Sequence, residues 1–249
     1  MAKKKKEEQK ETDLQFDILT LFPKMFDSVF KESIIKNAQK EGIIEINVHD
    51  LRDWADDKQK TVDDEPYGGG EGMVLKPEPI FKAVKELKEE FAKTHSEKAV
   101  QHTILLTPKG APYNFRIADK LSNLDQLILI CGHYEGVDHR VFEEVADEHL
   151  SIGEYILTGG EIPAMVLVDS ISRLVSGVVG NKASLDDESF SFGPKGILKY
   201  PVYTRPEEYE GHKVPDILLS GDHKEIEKWR EEAAKELTKE FRKDLLQEE

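Results

Sequence analysis

Three glycine-bearing turns lie close together in the middle of this sequence, between Leu127 and Ala164. An apolar run, LILIC, ends at Gly132, and the segments SIGEY (151–155) and LTGGE (157–161) follow it. Glycine lacks a Cβ, so a ligand can approach the main chain closely at such turns. The first turn lacks the GxGxxG spacing of the usual dinucleotide-binding fingerprint. The pattern therefore predicts a nucleotide-like cofactor held by backbone groups outside the Rossmann arrangement.

Strands and helices alternate along the first two thirds of the chain and would position these turns. Apolar runs predict strands, and apolar residues spaced three and four apart predict helices. The predicted strands are 16–22, 43–49, 102–107 and 127–131. The predicted helices are 79–93, 114–122, 161–175, and one from Pro23 to a stop at Gly42 with the apolar positions Phe26, Val29, Phe30 and Ile34. This alternation indicates an α/β fold with parallel strands, and the last of these helices is apolar enough to pack on both sides.

The two ends of the chain and the segment after residue 178 have a different character. Residues 1–13 are charged and of low complexity and predict a disordered tail. Residues 179–196 are polar with little periodicity, which is typical of a flexible linker. The α/β domain is therefore predicted over residues 14–178, and a small, mostly helical domain over residues 197–249. Its long helix, His223 to Leu246, would align Ile226, Trp229, Ala233, Leu237 and Phe241.

Composition narrows the classes of protein that this chain can belong to. Hydrophobic residues make up 38% and charged residues 34%, and no apolar run approaches the roughly 20 residues that cross a bilayer. The start of the chain carries no apolar segment typical of a secretory signal. Cys131 is the single cysteine, which excludes an intramolecular disulfide. A cytoplasmic protein without membrane contact is expected. The net charge of −15 argues mildly against a nucleic-acid partner, without excluding a local basic groove.

Eight motifs occur in one order over about residues 15–246. They are LFPKMF, TVDDEPYGGGEGM, LTPKG, CGHYEGVD, SIGEYILTGGEIPAM, DSISR, YTRP and VPDILLSGDH. Each motif is weak by itself, but together they resemble the bacterial tRNA (guanine-N1)-methyltransferases of the TrmD type, in the SPOUT superfamily. The resemblance covers nearly the whole chain.

The resemblance implies a fold, a cofactor and partners. The fold would be a SPOUT-type parallel sheet with a deep trefoil knot, which periodicity alone does not indicate. The methyl group of S-adenosyl-L-methionine would be transferred to N1 of the guanosine immediately 3′ of the anticodon (position 37) of tRNA, which maintains the reading frame. An obligate homodimer would share its active site between subunits. By similarity, the cofactor contacts are Leu106, Thr107, Pro108, Gly110, Gly132, Tyr134, Glu135, Gly136, Ser151, Ile152, Gly153, Tyr155, Leu157, Gly159, Gly160 and Pro163.

The resemblance also implies the catalytic residues. Arg173 corresponds to an arginine that stabilises negative charge developing on guanine O6, which suits a guanidinium that stays protonated. Methylation at N1 requires removal of the N1 proton, and a carboxylate whose pKa is raised by burial can act as the base. The family places an aspartate in a D-S-F triplet, whereas this chain has Glu188 before Ser189 and Phe190. Glu188 is the candidate base, with Asp187 as the alternative in a shifted register.

Other features are less decisive. His133 stands where the family often has arginine, which would weaken a phosphate contact or make it depend on pH. No metal-ligand cluster is visible; Mg²⁺ is suggested by family resemblance alone. The glycine-rich segment 66–73 would lie near the entering guanine. The best basic and aromatic patch for RNA contacts, or equally for packing at a domain junction, comprises Lys195, Lys199, Tyr200, Tyr203, Arg205, Tyr209 and Lys213.

Three alternative functions remain open from the sequence. A SPOUT methyltransferase could act on another RNA position. The departures at His133 and Glu188 also suit a catalytically weakened S-adenosylmethionine-binding regulatory protein. An acidic α/β interaction domain is the third alternative.

Overall fold

Five parallel strands form the central sheet of this protein. Their spatial order is Ile44–Asp50, Leu14–Thr20, Gln126–Cys131, Gln101–Pro112 and Glu148–Ser151. The computed structural model describes residues 13–180, 185, 187–193 and 196–246. The chain divides after Gly180 into two compact units. The first unit contains the strands β1 (Leu14–Thr20), β2 (Ile44–Asp50), β3 (Asp63–Asp64), β4 (Val74–Leu75), β5 (Gln101–Pro112), β6 (Gln126–Cys131) and β7 (Glu148–Ser151), of which β3 and β4 form a separate antiparallel pair.

Strand β6 lies at the centre of the sheet, between β1 and β5. Every one of its residues is buried. Phe16 of β1 pairs with Leu127, and Leu106 of β5 pairs with Cys131. Such continuous apolar runs are typical of parallel sheets covered on both faces. Parallel pairing brings the carboxyl ends of β5, β6 and β7 to one edge, where the three predicted turns begin. The predicted α/β class with a parallel sheet is therefore confirmed.

Six α-helices belong to the described part of the first unit. They are α1 (Asp27–Phe30), α2 (Ser33–Lys40), α3 (Pro77–Thr94), α4 (Phe115–Leu121), α5 (His139–Glu144) and α6 (Glu161–Ser172). Short 3-10 helices cover Pro23–Phe26 and Leu51–Trp54. Apolar side chains of α6 pack against one face of the sheet and those of α3 against the other, which gives two hydrophobic clusters.

The single helix predicted from Pro23 to Gly42 is wrong. The segment forms a 3-10 turn followed by α1 and α2, because Ser33 has a φ of 53° that interrupts a continuous helix. Phe26 and Phe30 are buried as expected, but Val29 and Ile34 are exposed. The apolar spacing therefore marked two different surfaces and not one core-facing stripe.

Helix α6 also departs from its prediction. It ends at Ser172, and it does not pack on both sides, since Ile162 and Val166 are 46% and 41% exposed. Helix α5 and strand β7 were not predicted. Strand β7 lies at the sheet edge and has a polar sequence, EHLS, in which one of four residues is fully buried. This pattern gives little periodic signal.

The second unit is described for residues 185, 187–193 and 196–246. It contains the antiparallel pair β8 (Glu208–Tyr209) and β9 (His212–Lys213), with helices α7 (Asp216–Leu219) and α8 (His223–Phe241). The Asp222 side chain caps α8 by accepting hydrogen bonds from the Lys224 and Glu225 amides. The helix ends at Phe241 and a 3-10 turn follows, and Phe241 is exposed, contrary to its predicted place on the packing face.

The small core of this unit comprises Ile197, Tyr200 and Ala234, with Phe192, Ala233 and Leu246 packed against it. Phe192 belongs to the predicted linker, and its amide donates to the Glu188 carbonyl at 2.7 Å. The predicted disordered tail lies almost wholly outside the described residues. No helix of the described chain is both long and apolar enough to cross a membrane.

Candidate active site

A cavity of about 440 Å³ opens at the carboxyl ends of β5, β6 and β7. This volume is within the range of small-molecule sites. Its walls are residues 105–109 in the middle of β5, the turn after β6, and the segment between β7 and α6. Fifteen of the sixteen predicted cofactor contacts line it: Leu106, Thr107, Pro108, Gly132, Tyr134, Glu135, Gly136, Ser151, Ile152, Gly153, Tyr155, Leu157, Gly159, Gly160 and Pro163.

The remaining predicted contact, Gly110, is not among the lining residues. A Cβ on Gly110 would lie 2.5 Å from the main chain of both His149 and Leu150. Its glycine character is therefore required for the close approach of β5 to β7. The register of these two strands shifts between Leu106 and Ala111, which is where this approach occurs.

Main-chain hydrogen bonds join the first and third turns of the cavity. The Gly160 amide donates to the Gly132 carbonyl at 2.8 Å, and His133 forms an isolated antiparallel bridge with Gly159. A Cβ on Gly160 would lie 2.6 Å from Cys131 Cα, so glycine is obligatory for this junction. Gly132 differs, because the nearest atom to its Cβ position is 3.7 Å away. Unlike Gly160, Gly132 is not crowded by neighbouring backbone, and it lines the cavity.

The glycine-rich segment 66–73 is attached to the first turn. The Glu135 amide donates to the Met73 carbonyl at 3.1 Å, and the Leu75 amide donates to the Gly136 carbonyl at 3.0 Å. A Cβ on Gly72 would lie 2.8 Å from Glu135 Cγ. The Glu135 side chain thus packs directly on the glycine segment, which connects the cavity wall to the segment predicted to lie near the entering base.

Several lining residues were missed from the sequence. His139 and Phe142 belong to α5, the helix that periodicity did not reveal, and Phe142 stacks on His149 with ring centroids 3.6 Å apart. His133 was noted for its departure from the family pattern and not as a cavity residue. The sequence could have indicated this position, because His133 directly follows Gly132 and a residue next to a turn glycine belongs to the same turn.

Arg173 caps the carboxyl end of α6, where its amide donates to the Asp169 carbonyl at 3.3 Å. Pro163, at the other end of the helix, lines the cavity. At 1.5 Å per residue the two positions are about 15 Å apart along the helix axis. The cavity and Arg173 are therefore separated within one chain.

The two candidate bases in the second unit have different surroundings. The Asp187 carboxylate accepts hydrogen bonds from Lys199 Nζ at 2.7 Å and from Tyr200 Oη at 2.9 Å. Burial alone would raise the pKa of Asp187, but these two hydrogen bonds and the Lys199 charge outweigh it and lower the pKa. The Glu188 carbonyl accepts from Phe192, so the backbone at Glu188 is fixed by a tight turn.

The predicted basic and aromatic patch is only partly at the surface. Tyr200 is buried in the core of the second unit, where Arg230 lies 4.7 Å from its ring, so for this residue packing is the correct interpretation. Tyr203 and Tyr209 are exposed, as are Arg205 and Lys213. Lys195 lies outside the described residues.

Within the described ranges, no group of three or more His, Cys, Asp or Glu side chains could hold a metal ion. Cys131 is buried beneath the cavity floor, and burial, reinforced by the Glu161 charge, raises the pKa of its thiol well above the usual value. A protonated buried thiol is a poor ligand and a poor nucleophile.

A parallel α/β unit with a ligand-sized cavity of main-chain turns at its strand ends defines a cofactor-binding protein outside the Rossmann class. Residues 14–248 match the family model described as tRNA (Guanine-1)-methyltransferase TrmD, and the chain belongs to this family. The family resemblance of the eight motifs is thereby confirmed.

Curated relatives are similar to this chain over nearly their full length, and each is named tRNA (guanine-N(1)-)-methyltransferase. The protein of Dictyoglomus turgidum is 54% identical, covering 94% of this chain and 90% of the relative. That of Geobacillus kaustophilus is 53% identical, covering 94% and 92%. That of Clostridioides difficile is 47% identical, covering 93% and 97%.

Proposed function

We propose that this protein transfers the methyl group of S-adenosyl-L-methionine to N1 of the guanosine immediately 3′ of the anticodon in tRNA. The observation that carries the proposal is the cavity of main-chain turns, in a chain that belongs to the tRNA (guanine-N1)-methyltransferase family. When bound, S-adenosyl-L-methionine supplies an electrophilic methyl group on a sulfonium. The volume and the glycine-lined walls suit an adenosine held by backbone donors and acceptors.

Glu188 is the proposed general base that takes the guanine N1 proton. A carboxylate is suited to this role when it is not already neutralised by strong partners. Asp187 is less suited, because Lys199 and Tyr200 hold its pKa below the usual value. Glu188 occupies the position of the family aspartate, directly before Ser189 and Phe190, and its longer side chain extends the oxygens by about 1.5 Å relative to aspartate.

Arg173 is the proposed stabiliser of negative charge on guanine O6. Its guanidinium stays protonated and donates in a fixed planar arrangement. Its distance of about 15 Å along α6 from Pro163 supports an arrangement in which another copy of the chain brings the two groups together.

A homodimer with a shared active site would provide this arrangement. Helix α6 exposes Ile162 and Val166, and the 3-10 segment Pro23–Phe26 that contacts α6 exposes Met25. Exposed apolar faces of this kind are typical of association surfaces. In a two-fold interface whose axis is perpendicular to α6, the two α6 helices would run antiparallel, which would place Arg173 of one copy near the cavity of the other.

The finer features of the family are part of the same proposal. They are a SPOUT-type sheet with a deep trefoil knot over residues 14–178, a flexible linker over 179–196, and a helical tRNA-binding domain over 197–249. The substrate implies the cytoplasmic location expected from the sequence. Within the described residues no group of three or more His, Cys, Asp or Glu side chains could hold Mg²⁺, so a bound Mg²⁺ would rely on fewer protein ligands together with water or phosphate.

Methyl transfer from tritiated S-adenosyl-L-methionine to two tRNA transcripts tests the proposal. The transcripts are identical except for G or A immediately 3′ of the anticodon. We expect label in the G transcript alone, at N1 of that base. Absence of transfer to either transcript would refute the enzyme, and equal transfer to both would refute the proposed position.

A further inference from the structure

Glu161, the first residue of α6, is a buried carboxylate that the predicted cofactor contacts do not include. Its side chain is 2% exposed, and Oε1 accepts a hydrogen bond from Thr20 Oγ1 at 2.8 Å. Thr20 Oγ1 in turn accepts from the Phe22 amide at 2.9 Å. A buried carboxylate is strongly disfavoured unless its oxygens are hydrogen-bonded or paired with charge. The Thr20 hydroxyl therefore satisfies Oε1 of Glu161.

The second oxygen lies beside the His133 imidazole. A Cβ placed on Gly159 would collide with Glu161 Oε2 and lie 2.7 Å from His133 Cδ2, so both groups border the same small space. Among the described residues, His133 Nδ1 is a buried nitrogen without a hydrogen-bond partner. Rotating an imidazole by half a turn exchanges Cδ2 and Nδ1 within the same volume. In that orientation Nδ1 takes the place of Cδ2 on the side of Glu161 Oε2, and the buried nitrogen gains an acceptor.

We propose that Glu161 is a positioning residue of the cofactor cavity that holds His133 through an Nδ1–H hydrogen bond to Oε2 while Thr20 binds Oε1. The hydrogen bond fixes the imidazole tautomer and leaves Nε2 as an acceptor. His133 lines the cavity and forms a bridge with Gly159. The Glu161 carboxylate would thus join the first and third turns through side chains. Gly160 and Gly132 join the same two turns through main chain. The aromatic rings of Phe22 and Tyr134 lie 4.9 and 4.7 Å from the imidazole and restrict its movement.

The other titratable group against Glu161 is the Cys131 thiol. Burial first, and the charge of Glu161 second, raise the pKa of this thiol, so it stays protonated and carries no charge at neutral pH. Cys131 therefore does not compete with His133 as an ionic partner. Gly159 is explained by the same arrangement, because any side chain there would separate the imidazole from the carboxylate.

Nuclear magnetic resonance of the ¹⁵N-histidine-labelled full chain tests the hydrogen bond in the free protein. Two-bond ¹H–¹⁵N correlations at a pH where the ring is neutral distinguish the Nδ1–H from the Nε2–H tautomer. We expect Nδ1–H for His133, with its signals shifted by Glu161→Gln. The matched control is Glu143→Gln, since Glu143 is an exposed carboxylate 3.4 Å from His139 and should leave the His133 signals unchanged. An Nε2–H tautomer, or His133 signals indifferent to Glu161→Gln, would overturn the proposal.

Calorimetric binding of S-adenosylhomocysteine supplies the functional readout. The role of Glu161 in the cavity rests on the proposed function. The resonance measurement is made without cofactor, so its outcome does not depend on that function. Glu161→Gln is expected to raise the Kd about tenfold, the order for losing a hydrogen bond to a charged group, whereas Glu143→Gln leaves it unchanged. An unchanged Kd in Glu161→Gln would overturn the positioning role. Failure of the unsubstituted protein to bind would instead refute the proposed cofactor.

Discussion

The cavity of the first unit and the acidic turn of the second unit are built in different ways. The cavity is held by main chain: the Gly160 amide bonds to the Gly132 carbonyl, and a Cβ on Gly160 would meet Cys131. In the acidic turn, residues 187–192, the Phe192 amide fixes the main chain at Glu188. Its Asp187 carboxylate, in contrast, is bound by the side chains of Lys199 and Tyr200. Binding in the cavity should therefore depend on backbone shape, and chemistry at the turn on individual carboxylates.

The difference matters because the two regions should fail separately. A side chain added to a main-chain junction changes the shape of the cavity and the packing beneath it. A carboxylate replaced by its amide keeps its shape and loses only its charge and basicity. Substitutions can thus separate cofactor binding from proton removal.

Glu188→Gln should have the largest effect. Loss of the proposed base should lower kcat by about 10²- to 10⁴-fold, with the cofactor Kd changed by less than about twofold, which single-turnover kinetics and calorimetry measure. Glu188→Asp is the matched control, because it retains a carboxylate and should keep most of the activity. Undiminished turnover in Glu188→Gln would place the base elsewhere.

Glycine substitutions in the cavity should have the next largest effect. Gly160→Ala should weaken cofactor binding by more than tenfold and also lower the free energy of unfolding by about 1–3 kcal/mol, because its Cβ overlaps Cys131. Gly132→Ala should weaken binding with little loss of stability, since the nearest atom to its Cβ position is 3.7 Å away.

Calorimetry and denaturant unfolding measure these two quantities. Gly180→Ala is the control, because its Cβ would have no atom within 4 Å and should change neither. Equal losses of stability in Gly132→Ala and Gly160→Ala would contradict the distinction between open and crowded glycines.

Asp187→Asn should lower stability by less than about 1 kcal/mol, since the ion pair with Lys199 is partly exposed. The pKa of Asp187 is lowered in the folded state, so its stabilisation is present above the usual aspartate pKa of about 3.9 and is lost as the pH falls below it. The difference in unfolding free energy between the two proteins should therefore shrink below pH 4. Urea unfolding from pH 7 to 3 measures it, and a difference that grows in acid would contradict the assignment.

Tyr113→Phe should have the smallest effect. Burial raises the pKa of Tyr113 to about 12, although the hydrogen bond with Ser170 at 2.6 Å opposes the shift. A raised pKa gives stability that is present below the unfolded value of about 10 and is lost as the pH approaches 12. The variant should be a few tenths to about 1 kcal/mol less stable at neutral pH. That deficit should narrow above pH 10 in chemical denaturation, and a constant deficit would refute the buried proton.

The sequence predicted the structure best where a residue pattern has a single structural explanation. Strand β6 was predicted within one residue because it is apolar throughout and buried on both faces. The turns after it were found because glycine marks close backbone approach. Helix α5 and strand β7 were missed because both are short and largely polar, so neither has a periodic pattern.

Exposure was predicted less well than secondary structure. Val29, Ile34, Ile162 and Val166 have the spacing of core residues but lie at the surface. A residue that is buried by another copy of the chain has the same hydrophobicity as one buried by its own fold. The environment of Glu161 was equally invisible, since Thr20 is distant in sequence and the pairing depends on the fold.

Mixed dimers test most directly the proposed shared active site, in which the cavity of one chain would work with Glu188 of its partner. One chain carries Gly132→Leu, which fills the cavity, and its partner carries Glu188→Gln; each alone should be inactive. After reassortment of equal amounts, half of the dimers are mixed and each has one intact site. We expect about a quarter of the unsubstituted methyl-transfer activity. Mixed dimers that form, as shown by two affinity tags, but remain inactive would contradict the shared site.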